Sequence, residues 1–317
     1  MKNKAFTLAE VLIVLALVGF LFTLTIPNVI HKQGSQKYIE TLTTAQSKLQ
    51  TAFEETAKAN NNKLPLDWDN VKASNNKSEA IIKELGKRLQ IMSYCGASDS
   101  GCFAPNGYRT LNGVATTVIT DDMEPFARTS QLPQDDIVAN DNVGLNLQDE
   151  SESDSEQPMQ KPVQYQQADP KASSVYVSLL DGGSIALKTS STYCNGIVPA
   201  VDPIERPFCG VIYVDVNGPA IPNMLGVDVF GFYLSGNNVL PMGFYGDDFS
   251  FDYNCLRETP RATKYNGLGC TAWAMKNKNM EYRKCHAGKR LGWASATRCT
   301  EPSKKESALQ IEHIKRD

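Results

Sequence analysis

The chain has 317 residues, a formal net charge of −3 and 41% hydrophobic residues. That length accommodates one or two domains of ~100–200 residues. A charge this close to zero marks the whole molecule neither as a nucleic-acid binder nor as a membrane-surface binder. The charge is unevenly spread, with residues 121–172 rich in acids and residues 257–317 rich in Lys and Arg.

The first element is the stretch from Met1 to Pro27. Lys2 and Lys4 precede an apolar run from Phe6 to Ile26 that only Glu10 interrupts. A bilayer core of ~30 Å takes ~20 apolar helical residues, so the run predicts a membrane-spanning helix. The two lysines favour a cytoplasmic N-terminus. A cleaved secretory signal, a plain anchor and a buried core helix are the competing readings. Glu10 sets the run apart from all three, because a carboxylate in an apolar span costs ~2.5–3.5 kcal/mol even on a lenient scale. An acid one turn into the helix can instead meet a terminal amine, provided the chain is cut just before Phe6.

The segment K-A-F-T-L-A-E-V-L, followed by about twenty apolar residues and a proline, resembles the N-terminus of type IV pilins and type II secretion pseudopilins. Ala5 stands where the family usually has Gly. The resemblance implies that prepilin peptidase cuts between Ala5 and Phe6 and methylates the new Phe6 amine. It gives Glu10 a role in subunit docking and makes Pro27 the site of a helix bend, since proline removes a helical hydrogen bond.

Beyond Pro27, Ile30, Tyr38, Leu42, Ala45, Leu49 and Phe53 recur at helical spacing with polar residues between them. This predicts an amphipathic helix to about Lys58, ended by Asn60, Asn61 and Asn62. After a linker, Ser78 reads as the N-cap of a second helix carrying Ile81, Ile82, Leu85 and Leu89. Residues 107–120 read as a hairpin turning at Asn112-Gly113. The polar, acidic tract 121–172 has too little apolar surface to offset its ordering entropy and predicts a disordered insertion. Residues 175–188 read as a hairpin around Asp181-Gly182-Gly183, a feature that pseudopilin-type domains share by resemblance.

Residues 211–235 hold the sharpest candidate site, V-D-V-N-G-P-A-I-P-N-M-L-G-V-D-V-F. Asp215 and Asn217 alternate as early calcium ligands do, Gly218 permits the bend, and Asn223 and Asp228 return from the far side. The competing reading is that these side chains cap the turn by bonding backbone amides. The D-x-N-G…P-N…G-x-D-x-F pattern and residues 267–282 also resemble segments of pilin-like proteins, some of which hold calcium in a loop.

Eight cysteines, all after Pro27, predict disulfides in an oxidising compartment. Zinc is disfavoured because no CxxC occurs. Loop-closure entropy favours near neighbours, hence Cys95–Cys102, Cys194–Cys209, Cys255–Cys270 and Cys285–Cys299, one of 105 connectivities. No catalytic constellation emerges from His31, His286 and His313, and Cys285-His286 is a poor nucleophile–base pair because sequence neighbours rarely face each other. No enzymatic activity is expected.

The sequence therefore predicts an α+β fold. A long N-terminal helix, half membrane-spanning and half amphipathic, packs on an antiparallel sheet in pilin-like fashion, with disulfide-stapled loops. The expected organisation is a leader (1–5), a membrane and assembly helix (6–27), the amphipathic helix with the first part of the head (28–120), the insertion (121–172), the β-rich remainder (173–300) and a charged tail (301–317). The resemblance implies a minor or tip subunit of a type IV pilus or type II secretion pseudopilus. Its partners would be prepilin peptidase, other pilins or pseudopilins, the inner-membrane assembly platform and the membrane. It would sit as a single-pass inner-membrane precursor with a cytoplasmic N-terminus, and later in a periplasmic or cell-surface filament. An adhesive or DNA-uptake minor pilin and a membrane-anchored exported enzyme are the alternatives. The basic C-terminal region lacks the interleaved aromatics of a nucleic-acid platform, so no nucleic-acid partner is expected.

Overall fold

The structure, a computed structural model, describes residues 8–96, 101–119, 127–128, 165–166, 174–189, 194, 196–197, 207–244, 249–258, 263–285, 289, 291–293 and 298–299, with residues 21–33, 127–128, 165–166 and 196–197 described by backbone alone. Helix α1 (Leu8–Ala59) comes first. It ends where Asn61 and Asn62 both take φ of 57°, a left-handed conformation that asparagine tolerates. A short 3-10 turn (Pro65–Asp67), α2 (Asp69–Lys72) and α3 (Lys77–Leu85) follow.

The strands are β1 (Ile91–Gly96), β2 (Tyr108–Arg109), β3 (Ala115–Thr116), β4 (Ala127–Arg128), β5 (Tyr165–Gln166), β6 (Val175–Leu179), β7 (Ser184–Thr189), β8 (Gly196–Ile197), β9 (Pro207–Asp215), β10 (Val229–Ser235) and β11 (Asn238–Pro241). Two short helices, α4 (Phe251–Asn254) and α5 (Cys270–Asn277), and a 3-10 turn (Glu281–Lys284) complete the described elements. The body of the main sheet runs β1-β6-β7-β9-β10-β11, antiparallel throughout. β8 joins the start of β9 and carries β4 and β5 beyond it. β2 and β3 form a separate hairpin.

Alternation along these strands sends side chains to two buried faces. Val175 and Val177 of β6, Ile185 and Leu187 of β7, Ile212 and Val214 of β9, and Phe230 and Phe232 of β10 pack with Ile39, Leu42, Leu49 and Phe53 of α1. Their neighbours Tyr176, Ala186, Val211, Tyr213, Val229 and Tyr233 face the other way, against Phe103, Tyr108, Val118, Ile119, Leu225 and Leu268 from the loops. The strands are accordingly almost continuously apolar, as strands covered on both faces are. The loops over the second face are short in regular structure; one disulfide, Cys95–Cys102, lies among them, and the other three pack on the α1 side. The bonds are Cys95–Cys102, Cys194–Cys209, Cys255–Cys270 and Cys285–Cys299, the nearest-neighbour pairs in every case.

The helix also closes one edge of the sheet. Gln50 Oε1 accepts from the Val239 amide at 2.7 Å, and Gln46 Nε2 donates to the Val239 carbonyl at 3.2 Å. Spaced one helical turn apart, these two side chains satisfy the outward backbone groups of β11 as a further strand would.

Two expectations need correction. The predicted fold class rested on a helix whose first half spans a membrane. Among the described residues no helix is long and apolar enough to cross a membrane. The architecture is a mixed α/β one with an antiparallel sheet, and the expected single-pass inner-membrane placement falls with the span. Second, Asn76, not Ser78, caps α3, because its side chain accepts from the Glu79 amide at 3.1 Å. Ser78 sits inside the first turn and its Oγ accepts from the Thr189 amide at 3.0 Å. Within the tract 121–172 the short strands β4 and β5 pair with each other. The rest of that tract and the charged tail lie outside the described residues.

The glutamine closure can be tested by equilibrium urea unfolding. Gln50→Ala leaves the Val239 amide without its acceptor and is expected to cost ~1–3 kcal/mol. The midpoint should fall with the slope unchanged, since no additional surface is exposed.

Candidate functional site

Two features stand out, and the sequence singled out both. The first is the N-terminal part of α1. Leu8, Val11, Leu12, Ile13, Val14, Leu15, Leu17, Val18 and Phe20 are each between 40% and 81% exposed. Consecutive apolar positions cover the helix on all sides, so no rotation hides them. A helix hydrophobic all round belongs in an interior, and a contiguous apolar patch beyond a few hundred Å² marks an interaction surface. Glu10 lies in this stretch and is exposed. It stands in the first described turn of α1. Ala5 and Phe6 lie outside the described residues. Pro27 falls within the span of α1.

The second feature is the turn from β9 to β10. Asp215 ends β9 and Asp228 immediately precedes β10, and both are fully buried. Asp228 Oδ2 accepts from the Asn223 amide and its Oδ1 from the Met224 amide, each at 2.7 Å. Asp215 Oδ1 accepts from the Asn217 amide at 3.2 Å, and its Oδ2 from the Tyr108 hydroxyl at 2.8 Å. Asn217 Nδ2 donates to the carbonyls of Ala220 and Ile221 at 2.9 and 3.2 Å. Asn223 takes φ of 53° and Gly218 φ of 61°. A side chain at Gly218 would also meet the Gly182 carbonyl oxygen at 2.5 Å, so the turn needs glycine there on two counts.

The structure thus brings the four expected calcium ligands into one turn and gives each carboxylate oxygen a donor from the chain. That is the turn-capping role. The Oδ1 atoms of Asn217 and Asn223 are buried without a hydrogen-bond partner and are the oxygens a hard cation would find. Among the described residues no three of His, Cys, Asp and Glu come together as a metal-binding group.

Burial pushes the Asp215 carboxyl up to about 8, with the neighbouring charge of Asp228 adding to it against the opposing bond from Tyr108. Burial likewise raises Asp228 to about 6, opposed by the Met224 and Asn223 amides. The Tyr108 hydroxyl is raised too, first by burial and then by the charge of Asp215. Two like charges this deep in the protein are costly, and protonation of Asp215 relieves the repulsion.

The sequence pointed to the loop but missed Tyr108, which lies 107 positions from its partner Asp215 and has no local signal connecting them. Of the histidines, His286 and His313 lie outside the described residues, as does the side chain of His31. No family model, curated protein or solved structure matches the chain.

Two outcomes follow from this geometry. In the unfolded chain Asp215 loses its proton near 3.8, in the folded chain near 8. Its contribution is therefore complete at low pH and is lost as pH rises between those values. The melting temperature should fall across that window, and Asp215→Asn should reduce the slope. Asp228→Ala strips two amides of their acceptors and should cost about 2–4 kcal/mol. Measured by thermal melting, that loss should be equal in calcium and in chelator. A loss that appears only in calcium would make Asp228 a metal ligand.

Proposed function

We propose that this chain is a non-enzymatic structural subunit of a helical filament, pilin-like in its N-terminal segment and minor or tip-located in its role. The observation that carries the reading is the apolar N-terminal part of α1, exposed on every side while the later part of the same helix is buried in the head. Helices of neighbouring subunits are the cover that such a surface accepts. Each large aliphatic side chain buried there contributes ~1.5–3 kcal/mol, so a few contacts per helix suffice for association.

The K-A-F-T-L-A-E junction supports the same reading. Processing by a prepilin peptidase would free an amine at Phe6 one turn from Glu10. In an assembled filament, the amine of one subunit would neutralise Glu10 of the next, removing the cost of a lone charge among apolar helices. The four disulfides fit export to an oxidising compartment. Bulky loops on the sheet face away from α1 would crowd a main-shaft subunit and suit a subunit with fewer neighbours.

Mass spectrometry of the mature protein tests the processing step, with a chain starting at N-methylated Phe6 as the expected result. A mature start beyond Pro27 overturns the reading. Glu10→Ala should leave the head's melting temperature unchanged and reduce co-assembly. A head beginning at Gly34 should remain folded and monomeric in size-exclusion chromatography with light scattering, because the buried stripe of α1 starts at Ile39.

A further inference from the structure

One loop of the head carries an apolar side chain that nothing in the described chain covers. Ile221 is 83% exposed, more than any other large hydrophobic side chain among the described residues. A lone exposed apolar residue on a pliant loop is ordinary. This loop is not pliant. Asn217 clamps the carbonyls of Ala220 and Ile221, and Asp228 clamps the amides of the two residues after Pro222. Two buried carboxylates are thus committed to holding a surface turn in one shape. Buried charges are costly, and fixing an anchor side chain before contact lowers the entropy lost on binding.

The position of the loop identifies what it meets. Gly226, at its far end, accepts from the Tyr282 hydroxyl at 2.8 Å, and the adjoining Arg283 donates to Ser35 Oγ of α1 at 3.3 Å. Ser35 lies one turn before Ile39, the first fully buried residue of the described stripe. The loop therefore stands at the end of the head where α1 enters, with residues 8–20 about 22 Å further along the same helix at ~1.5 Å per residue.

We propose that the Ile221 loop is a docking point for the apolar part of α1, residues 8–20, of a second copy of this chain. The proposal rests on the filament reading and names a contact within it. A helix apolar on all sides cannot be covered by one neighbour. After helix packs on helix, a flank remains, and a rigid aliphatic anchor at the base of an adjacent head fits between its side chains. The two surfaces differ, so the contact is heterologous. Repeated from copy to copy without closing, such a contact generates a helical filament and not a ring.

Full-length protein with the photo-crosslinking residue p-benzoylphenylalanine at position 221 provides the test, with products mapped by mass spectrometry. Light should join position 221 of one copy to a peptide within residues 8–20 of another. Ile221→Asp should leave the melting temperature unchanged, since the side chain has little to lose inside the head. It should weaken self-association on the order of tenfold or more. Assembled protein that crosslinks elsewhere, or Ile221→Asp that assembles like the parent, overturns the docking point and leaves the filament reading standing. Full-length parent protein that does not self-associate overturns both.

Discussion

A sheet that is apolar on both faces must be covered on both, and the rest of this structure depends on that constraint. The buried stripe of α1, from Ile39 to Ala57, lies over one face. It packs beside Trp68, Ile81, Ile82 and Leu85 from the short elements that follow. The other face carries the aromatic side chains Tyr176, Tyr213 and Tyr233, and its cover is made of loops. Loops hold position less well than helices, because they have fewer backbone bonds of their own. Among these loops the Cys95–Cys102 disulfide restricts the freedom of the unfolded chain and so favours the covered state. The Cys255–Cys270 bond ties α4 to α5, beside a stack of Phe251 on Trp273 at 5.2 Å. Tyr282 and Trp293 pack edge-on against the same ring, so the C-terminal region contributes these aromatics to the core on the α1 side of the sheet.

The turn between β9 and β10 shows the opposite economy. Its two carboxylates are buried, and their oxygens are satisfied by amides of the turn and by Tyr108. Asp228 serves two amides, while Asp215 serves an amide and the hydroxyl of Tyr108, which in turn accepts from the Ala104 amide at 3.0 Å. The turn is therefore linked to the covering loop over the second face of the sheet. The bond between Tyr108 and Asp215 joins that loop to the turn.

Much of this was legible in the sequence where the signal is local. The spacing of Leu42, Ala45, Leu49 and Phe53 located the buried stripe, and Asp181-Gly182-Gly183 located the hairpin between β6 and β7. The D-x-N-G segment was recognisable as a tight turn because Asx side chains and glycine act within a few residues. The cysteine pairs are close in sequence, and closing short loops costs least. Tertiary information was not legible. Nothing near Tyr108 announces Asp215, nothing near Gln46 and Gln50 announces Val239, and no composition rule says which capping side chain wins between Asn76 and Ser78. The apolar run at the N-terminus was read as a membrane span because length and hydropathy alone carry that expectation. Among the described residues no helix is long and apolar enough to cross a membrane, and the exposed apolar surface of α1 remains the feature that any account of the molecule must explain.

The two glutamines of α1 have a wider consequence. A bare outer strand is a template on which another chain can lay down backbone bonds, the first step toward cross-β aggregation. At β11 the outward groups of Val239 are already taken by Gln46 and Gln50, and Pro241 follows with no amide to give. At the opposite border β1 is broken by two register shifts, which twist a strand out of the flat shape that templating needs. With both of these borders closed to further strands, the exposed apolar part of α1 is the surface that stays open to other chains.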